Sequence, residues 1–233
     1  MALMIGSGPF GSSPAGRFDR IERPDRPILY WDDWPKRFRV VHDGETIADT
    51  RRARALHETG HLMRLYIPRD DVAMDKLIQS EHSTRCPWKG NASYWSVGSG
   101  EHAAENAAWA YEGPVDDANF LAGYMSFDLD SIDRWLMEED EGYAHPRDPY
   151  HRCDIHQGSG HVTVRSAGET VAETTRPLIL FETSLPPRYY IPRADVRDEM
   201  LTKSDTVTDC PYKGPAQHWH LGVRGESIED AAW

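Results

Sequence analysis

Apolar and polar residues alternate along much of this chain. Arg37-Phe38-Arg39-Val40-Val41 places apolar side chains at every second position and runs into the turn pair Asp43-Gly44. His161-Val162-Thr163-Val164-Arg165 does the same before Ala167-Gly168. Thr46 to Asp49 and Thr170 to Glu173 follow as hairpin partners. Strands are also predicted at Arg64 to Ile67, Ala92 to Val97, Leu178 to Phe181 and Arg188 to Ile191, with an apolar strand-like stretch from Phe120 to Phe127. Asp70 to Ser80 and Ala194 to Ser204 each read as one short helix, with an acidic start and apolar residues at Val72, Leu77, Val196, Met200 and Leu201. Glu101 to Ala108 reads as a short helix or turn, and Ser131 to Glu138 as a helix. The fold class is mainly β with minor α.

The same pattern is written twice. Gly44-Glu45-Thr46-Ile47-Ala48-Asp49-Thr50 returns as Gly168-Glu169-Thr170-Val171-Ala172-Glu173-Thr174. Tyr66-Ile67-Pro68-Arg69 returns as Tyr190-Ile191-Pro192-Arg193, and Cys86-Pro87-Trp88-Lys89-Gly90 as Cys210-Pro211-Tyr212-Lys213-Gly214. From Gly44 to Trp109 the offset is constant, and about 30 of the 66 aligned positions are identical. A period this long means tandem domains, not a solenoid. The organisation is a leader and N-terminal segment (1–34), a first domain (35–138), a linker (139–153) and a second domain (154–233). Many short strands at this spacing predict two pseudo-symmetric small barrels or rolled sheets. The second copy reaches only the counterpart of Trp109: either this copy is shortened, or its closing element comes from Pro27 to Trp31 or from a neighbouring chain, as in a homo-oligomer.

Composition narrows the function. The chain has 233 residues, 39% hydrophobic and 27% charged, enough to bury a core. A net charge of −12 argues against general nucleic-acid binding and against adhesion to anionic membranes. No apolar run is long enough to span a membrane. The Gly/Ser/Pro-rich start lacks a signal-peptide pattern and reads as a floppy leader. Three scattered cysteines do not form a disulfide framework, so a cytoplasmic location is expected.

The succession GETIADT, Glu58, YIPR-x-DV, T-x-CP[WY]KG-x-A and AAW-x-Y-x-x-P resembles the DUF427 family across both copies. The resemblance implies a compact, mainly β fold and no settled activity. A nucleotidyltransferase label attached to the family implies a Gly-Ser turn followed closely by paired carboxylates that hold Mg²⁺. Here Gly98-Ser99 stands far from Asp116-Asp117, and the second copy has Gly222-Val223 in place of the turn.

Candidate chemistry follows from what both copies share. Thr84, Cys86 and Lys89 recur as Thr208, Cys210 and Lys213. A lysine three residues after a cysteine would lower the thiol pKa and favour a nucleophilic thiolate; the plainer reading is a cysteine packed under a tight turn. Glu58, Tyr66 and Arg69 recur as Glu182, Tyr190 and Arg193. Gathered together, these would suit a polar or anionic small molecule, with arginine as clamp and glutamate as base; the plainer reading is a structural ion pair. Trp95 and Trp219, with Trp109 and Trp233, either line a ligand cavity or fill the core.

His57-Glu58-Thr59-Gly60-His61 spells H-E-x-x-H, which binds zinc only on a helix. Gly60 and the loss of both histidines in the second copy weigh against it. A His/Cys group around the linker (His145, His151, Cys153, His156) has no standard ligand spacing. The expectation is therefore a small-molecule site, binding or enzymatic, in each repeat, with no metal and no cofactor. The alternatives are a structural or protein-interaction module and, more weakly, a zinc hydrolase at His57 and His61.

Overall fold

The computed structural model describes residues 3–17 and 26–233. The chain forms two compact units, Leu3–Asp148 and Pro149–Trp233. Part of the leader, residues 1, 2 and 18–25, lies outside the described residues.

In the first unit, strands β1 (Leu29–Asp33), β2 (Phe38–His42), β3 (Glu45–Thr50), β4 (Arg54–Glu58), β5 (Arg64–Pro68) and β6 (Leu77–Cys86) come first. They are followed by β7 (Gly90–Val97), β8 (Ala104–Pro114), β9 (Tyr124–Phe127), β10 (Arg134–Met137) and β11 (Asp140–Glu141). A seven-stranded sheet runs β1-β4-β5-β9-β8-β7-β6, and a four-stranded sheet runs β11-β10-β2-β3. The β2–β3 hairpin turns at Asp43 and Gly44, whose φ values of 50° and 72° supply the left-handed pair a tight hairpin needs.

Strand alternation sorts the side chains. In β5, Leu65 and Ile67 enter the main core together with Phe38, Val40 and Trp135 of the smaller sheet. Tyr66 points to the opposite face, among Leu56, Ala92, Tyr111, Ala118 and Leu121. Trp95 belongs to the main core and Trp109 packs on the second face.

The second unit repeats this plan with fewer strands: β12 (Cys153–Gln157), β13 (Val162–Ser166), β14 (Glu169–Thr174), β15 (Leu178–Glu182), β16 (Arg188–Tyr190), β17 (Leu201–Cys210), β18 (Gly214–Val223) and β19 (Glu226–Ala232). They form sheets β12-β15-β16, β13-β14 and β17-β18-β19. In the first repeat β9 pairs with both β5 and β8, and β10 pairs with β2. Among the described residues no strand joins β16 to β19 or flanks β13 opposite β14. The exposure follows: Val40 is 0% exposed and its counterpart Val164 41%; Tyr66 is 2% and Tyr190 37%.

The fold is mainly β with minor helix, as the alternation predicts, and among the described residues its sheets stay open and form no closed barrel. Several local expectations are corrected. The predicted helices at Asp70 to Ser80 and Ala194 to Ser204 are each two 3-10 turns followed by a strand. Such segments are too short to nucleate a helix alone, and Val72 and Val196 instead bridge to Ala48 and Ala172. Ser131 to Glu138 contains strand β10, because Trp135 and Met137 share one face at period two and reach the main core. Glu101 to Ala108 is a 3-10 turn, Gly100–His102, leading into β8. Pro27 to Trp31 does not close the second repeat; Leu29 to Trp31 pair with β4 of the first. The described leader is folded: the Gly60 amide donates to the Met4 carbonyl at 2.8 Å, and the Thr59 hydroxyl donates to the Phe10 carbonyl at 3.0 Å.

Candidate functional site

The second face of the seven-stranded sheet carries a cavity of about 440 Å³. Alternation explains its lining: Leu56 and Glu58 are two apart on β4, and Trp109 and Tyr111 are two apart on β8. Tyr66, Tyr94 and Lys89 add to the wall, and Gly60 and His61 border it from the β4–β5 connection and Arg64 from the start of β5. The turn after β6 returns the chain at Gly90, where φ is 108° and a Cβ would lie 3.1 Å from the Gly113 carbonyl oxygen. This turn carries Lys89 over the sheet face, where its ammonium donates to Glu58 Oε2. The pair is largely buried, with 12% of the lysine side chain and 9% of the glutamate exposed.

Two of the surrounding phenols, Tyr66 and Tyr111, are held neutral. Burial pushes Tyr66 far above its ordinary range, against the opposing effect of a hydrogen bond with Trp109. Burial does the same to Tyr111, reinforced by neighbouring Tyr66. Lys89 lies 5.8 Å from the Tyr111 ring centre, and the Arg64 guanidinium 5.8 Å from that of Trp109.

The predicted residues therefore divide. Glu58, Tyr66 and Lys89 meet in the cavity. Thr84 stands behind it, its hydroxyl 2.9 Å from the Tyr94 hydroxyl. Cys86 packs partly buried beside the second-face cluster, and the lysine expected to activate it is bonded to Glu58 instead. Arg69 does not join: it donates to Glu112 at 2.9 Å and lies 5.3 Å from the centre of Trp95. Trp95 is core, and Trp109 is the tryptophan at the cavity. Tyr94 and Arg64 belong to no quoted motif, and Tyr111 stands in AAW-x-Y-x-x-P without a role assigned to it. Their signal was the two-residue period that puts them on the face of Glu58 and Tyr66.

The second repeat splits the set differently. Lys213 donates to Glu182 Oε2 at 2.7 Å. Burial opposes the charge on Lys213, but the bond and charge of Glu182 outweigh it and raise its pKa. Tyr190, Arg193 and Trp219 line another cavity, of about 510 Å³, together with Trp233. Arg193 stacks on Trp219 at 4.1 Å, repeating Arg69 on Trp95. Thr208 lies 2.9 Å from His218 Nε2, as Thr84 lies beside Tyr94. Cys210 is partly buried at the end of β17. Burial and the nearby Glu182 raise the Cys153 thiol.

The model of the domain of unknown function DUF427 matches residues 31–138 and again 154–233. The chain belongs to the DUF427 family. It carries the DUF427 domain twice, and the two matched segments follow the internal repeat. A search of curated proteins returns no match. No helix among the described residues is long and apolar enough to cross a membrane.

The H-E-x-x-H run of this DUF427 protein is not helical. His57 and Glu58 lie on β4, and Thr59 to His61 form a turn. His57 is buried 3.8 Å from Asp148, and His61 is exposed. Strand alternation sends His57 away from Glu58, so the zincin arrangement is not formed. Among the described residues, the group able to hold a metal is instead His151, Cys153 and Glu182.

Proposed function

We propose that the first DUF427 repeat binds a small polar molecule in the Glu58–Lys89 cavity. The observation that carries the reading is the meeting of Glu58, Tyr66 and Lys89 around one space of about 440 Å³, walled by Tyr94, Trp109 and Tyr111. That volume suits a small ligand, and a few polar groups on an aromatic wall is how such sites fix orientation. The Glu58–Lys89 pair offers one acceptor and one donor surface to a polar head group. Tyr94 and Trp109 flank a flat body. Arg64 at the rim favours a negative group there.

Mass spectrometry of the freshly purified, denatured protein would identify a retained ligand. Tyr94→Ala removes a wall residue and Arg64→Ala a rim residue, and neither removes a member of the ion pair. Both are expected to weaken ligand binding at least tenfold while leaving the circular dichroism unchanged. Unaltered binding in both variants would place the ligand elsewhere.

One observation favours the second reading, a module whose shared residues maintain the fold. Thr50 and Arg52 bond Asp71, and Thr174 and Arg176 bond Asp195, in the same geometry and away from the cavity. Those residues lie outside the Glu58–Lys89 cavity and serve the scaffold under either reading.

A further inference from the structure

The Glu–Lys pair is common to both repeats, but its surroundings are not. In the first repeat, Glu58 faces Leu29 across the β1–β4 pairing. In the second, Glu182 faces Cys153 across the β12–β15 pairing. Two residues before these positions stand Pro27 and His151. The shared scaffold thus holds a glutamate and a lysine next to apolar groups once, and next to a thiol and an imidazole once.

In the second repeat the three donors converge. His151 Nε2 lies 3.0 Å from Glu182 Oε1 and 3.8 Å from Cys153 Sγ. All three donor atoms lie within 4.8 Å of one another. A tetrahedral zinc ion with ordinary bonds to N, S and O would separate its ligand atoms by about 3.3–3.6 Å, between the two observed distances. The His151 side chain is 0% exposed and that of Glu182 2%, so the donors are held in place. Lys213 occupies Oε2 of the same carboxylate and leaves Oε1 facing the other two donors. An outer partner of this kind orients a one-oxygen carboxylate ligand.

We propose that His151, Cys153 and Glu182 form a binding site for a transition-metal ion of the zinc type. One nitrogen, one thiolate and one carboxylate suit zinc in preference to magnesium or calcium, which take oxygen donors. Three protein ligands leave the fourth position to water. Cys153 is partly buried and a third of the Lys213 side chain is exposed, which gives an entry route. The site shares no residue with the cavity of the first repeat.

The test is metal titration of the full chain after chelator treatment. Zinc is followed by calorimetry and cobalt by absorption. One equivalent per chain is expected, with a thiolate-to-cobalt charge-transfer band and a visible spectrum of tetrahedral type. Cys153→Ser should remove that band and weaken zinc at least tenfold, and His151→Gln should weaken zinc comparably. Cys86→Ser should change neither. The proposal is overturned if the wild-type chain binds no stoichiometric zinc, or if Cys153→Ser retains wild-type affinity. A charge-transfer band that vanishes with Cys86→Ser would equally overturn it. Because serine replaces cysteine with little change in volume, Cys153→Ser keeps the test readable even if His151→Gln does not fold.

Discussion

Lys213 donates to Glu182 at 2.7 Å, and Lys89 makes the equivalent bond to Glu58, each lysine 31 residues after its glutamate. The two pairs differ in cover, with 34% of the Lys213 side chain exposed against 12% of Lys89. Removing one partner of a buried pair strands the other charge away from water, which costs about 3–5 kcal/mol when the site is dry. Lys89→Met should therefore destabilise the first repeat by about 3 kcal/mol in urea unfolding. Lys213→Met should cost less, since Glu182, although only 2% exposed, keeps its second partner His151 at 3.0 Å when the lysine is removed. Combining Glu58→Gln with Lys89→Met should recover most of the loss. Equal costs for the two single lysine variants would contradict this account.

The tryptophans shared by the repeats should separate in the same way. Trp95 is 3% exposed in the main core, whereas its counterpart Trp219 is only partly covered. Trp95→Ala should cost about 3–5 kcal/mol, as large-to-small changes in a closed core do. Trp219→Ala should cost clearly less, because there is no tight cavity to leave behind. Chemical denaturation of the two variants, read by far-ultraviolet circular dichroism, measures the difference.

Hydrogen exchange should report the difference in strand pairing directly. In the first repeat Ser126 pairs with both Tyr66 and Trp109, and its hydroxyl donates to the Leu65 carbonyl at 2.9 Å. In the second repeat β16 and β19 lack such a partner among the described residues. Amides of Arg188 to Tyr190 should exchange faster than those of Arg64 to Tyr66. Equal protection of the two segments would count against this reading.

His57 supplies a pH dependence whose sign can be worked out. Burial lowers its pKa from the ordinary 6.5, and the attraction of Asp148 and Asp32 opposes this without overcoming it. The unfolded chain then takes up the proton first as pH falls. Stability from this group is present above about pH 6.5 and declines as the pH drops toward the folded-state value. Thermal melts across that window should show the decline, and His57→Gln should flatten it. A melting temperature that rises on acidification would reverse the sign and remove His57 as the cause.

How far the sequence revealed this molecule depends on the range of the interactions. The hairpin at Asp43-Gly44 was legible because turn and strands lie within a dozen residues. The repeat was legible as plain identity. Strand β10 was not, because Trp135 takes its conformation from pairing with Val40, far away in the chain. In the site, Glu58 and Lys89 were both visible, but not that they bond each other in preference to Cys86. Arg69 shares a motif with Tyr66 yet leaves the strand at Pro68 and stacks on the opposite face. The His151–Cys153–Glu182 cluster had no ligand spacing to find, since a cross-strand pair brings its members together.

Gly60 edges the cavity while its amide is bonded to Met4. The rim of the first repeat is thus stitched to a stretch that has no duplicate anywhere else in the chain. Affinity tags or deletions placed near Met4 will act on the doorway of the cavity itself. Ligand screens on differently tagged preparations should be compared with that in view.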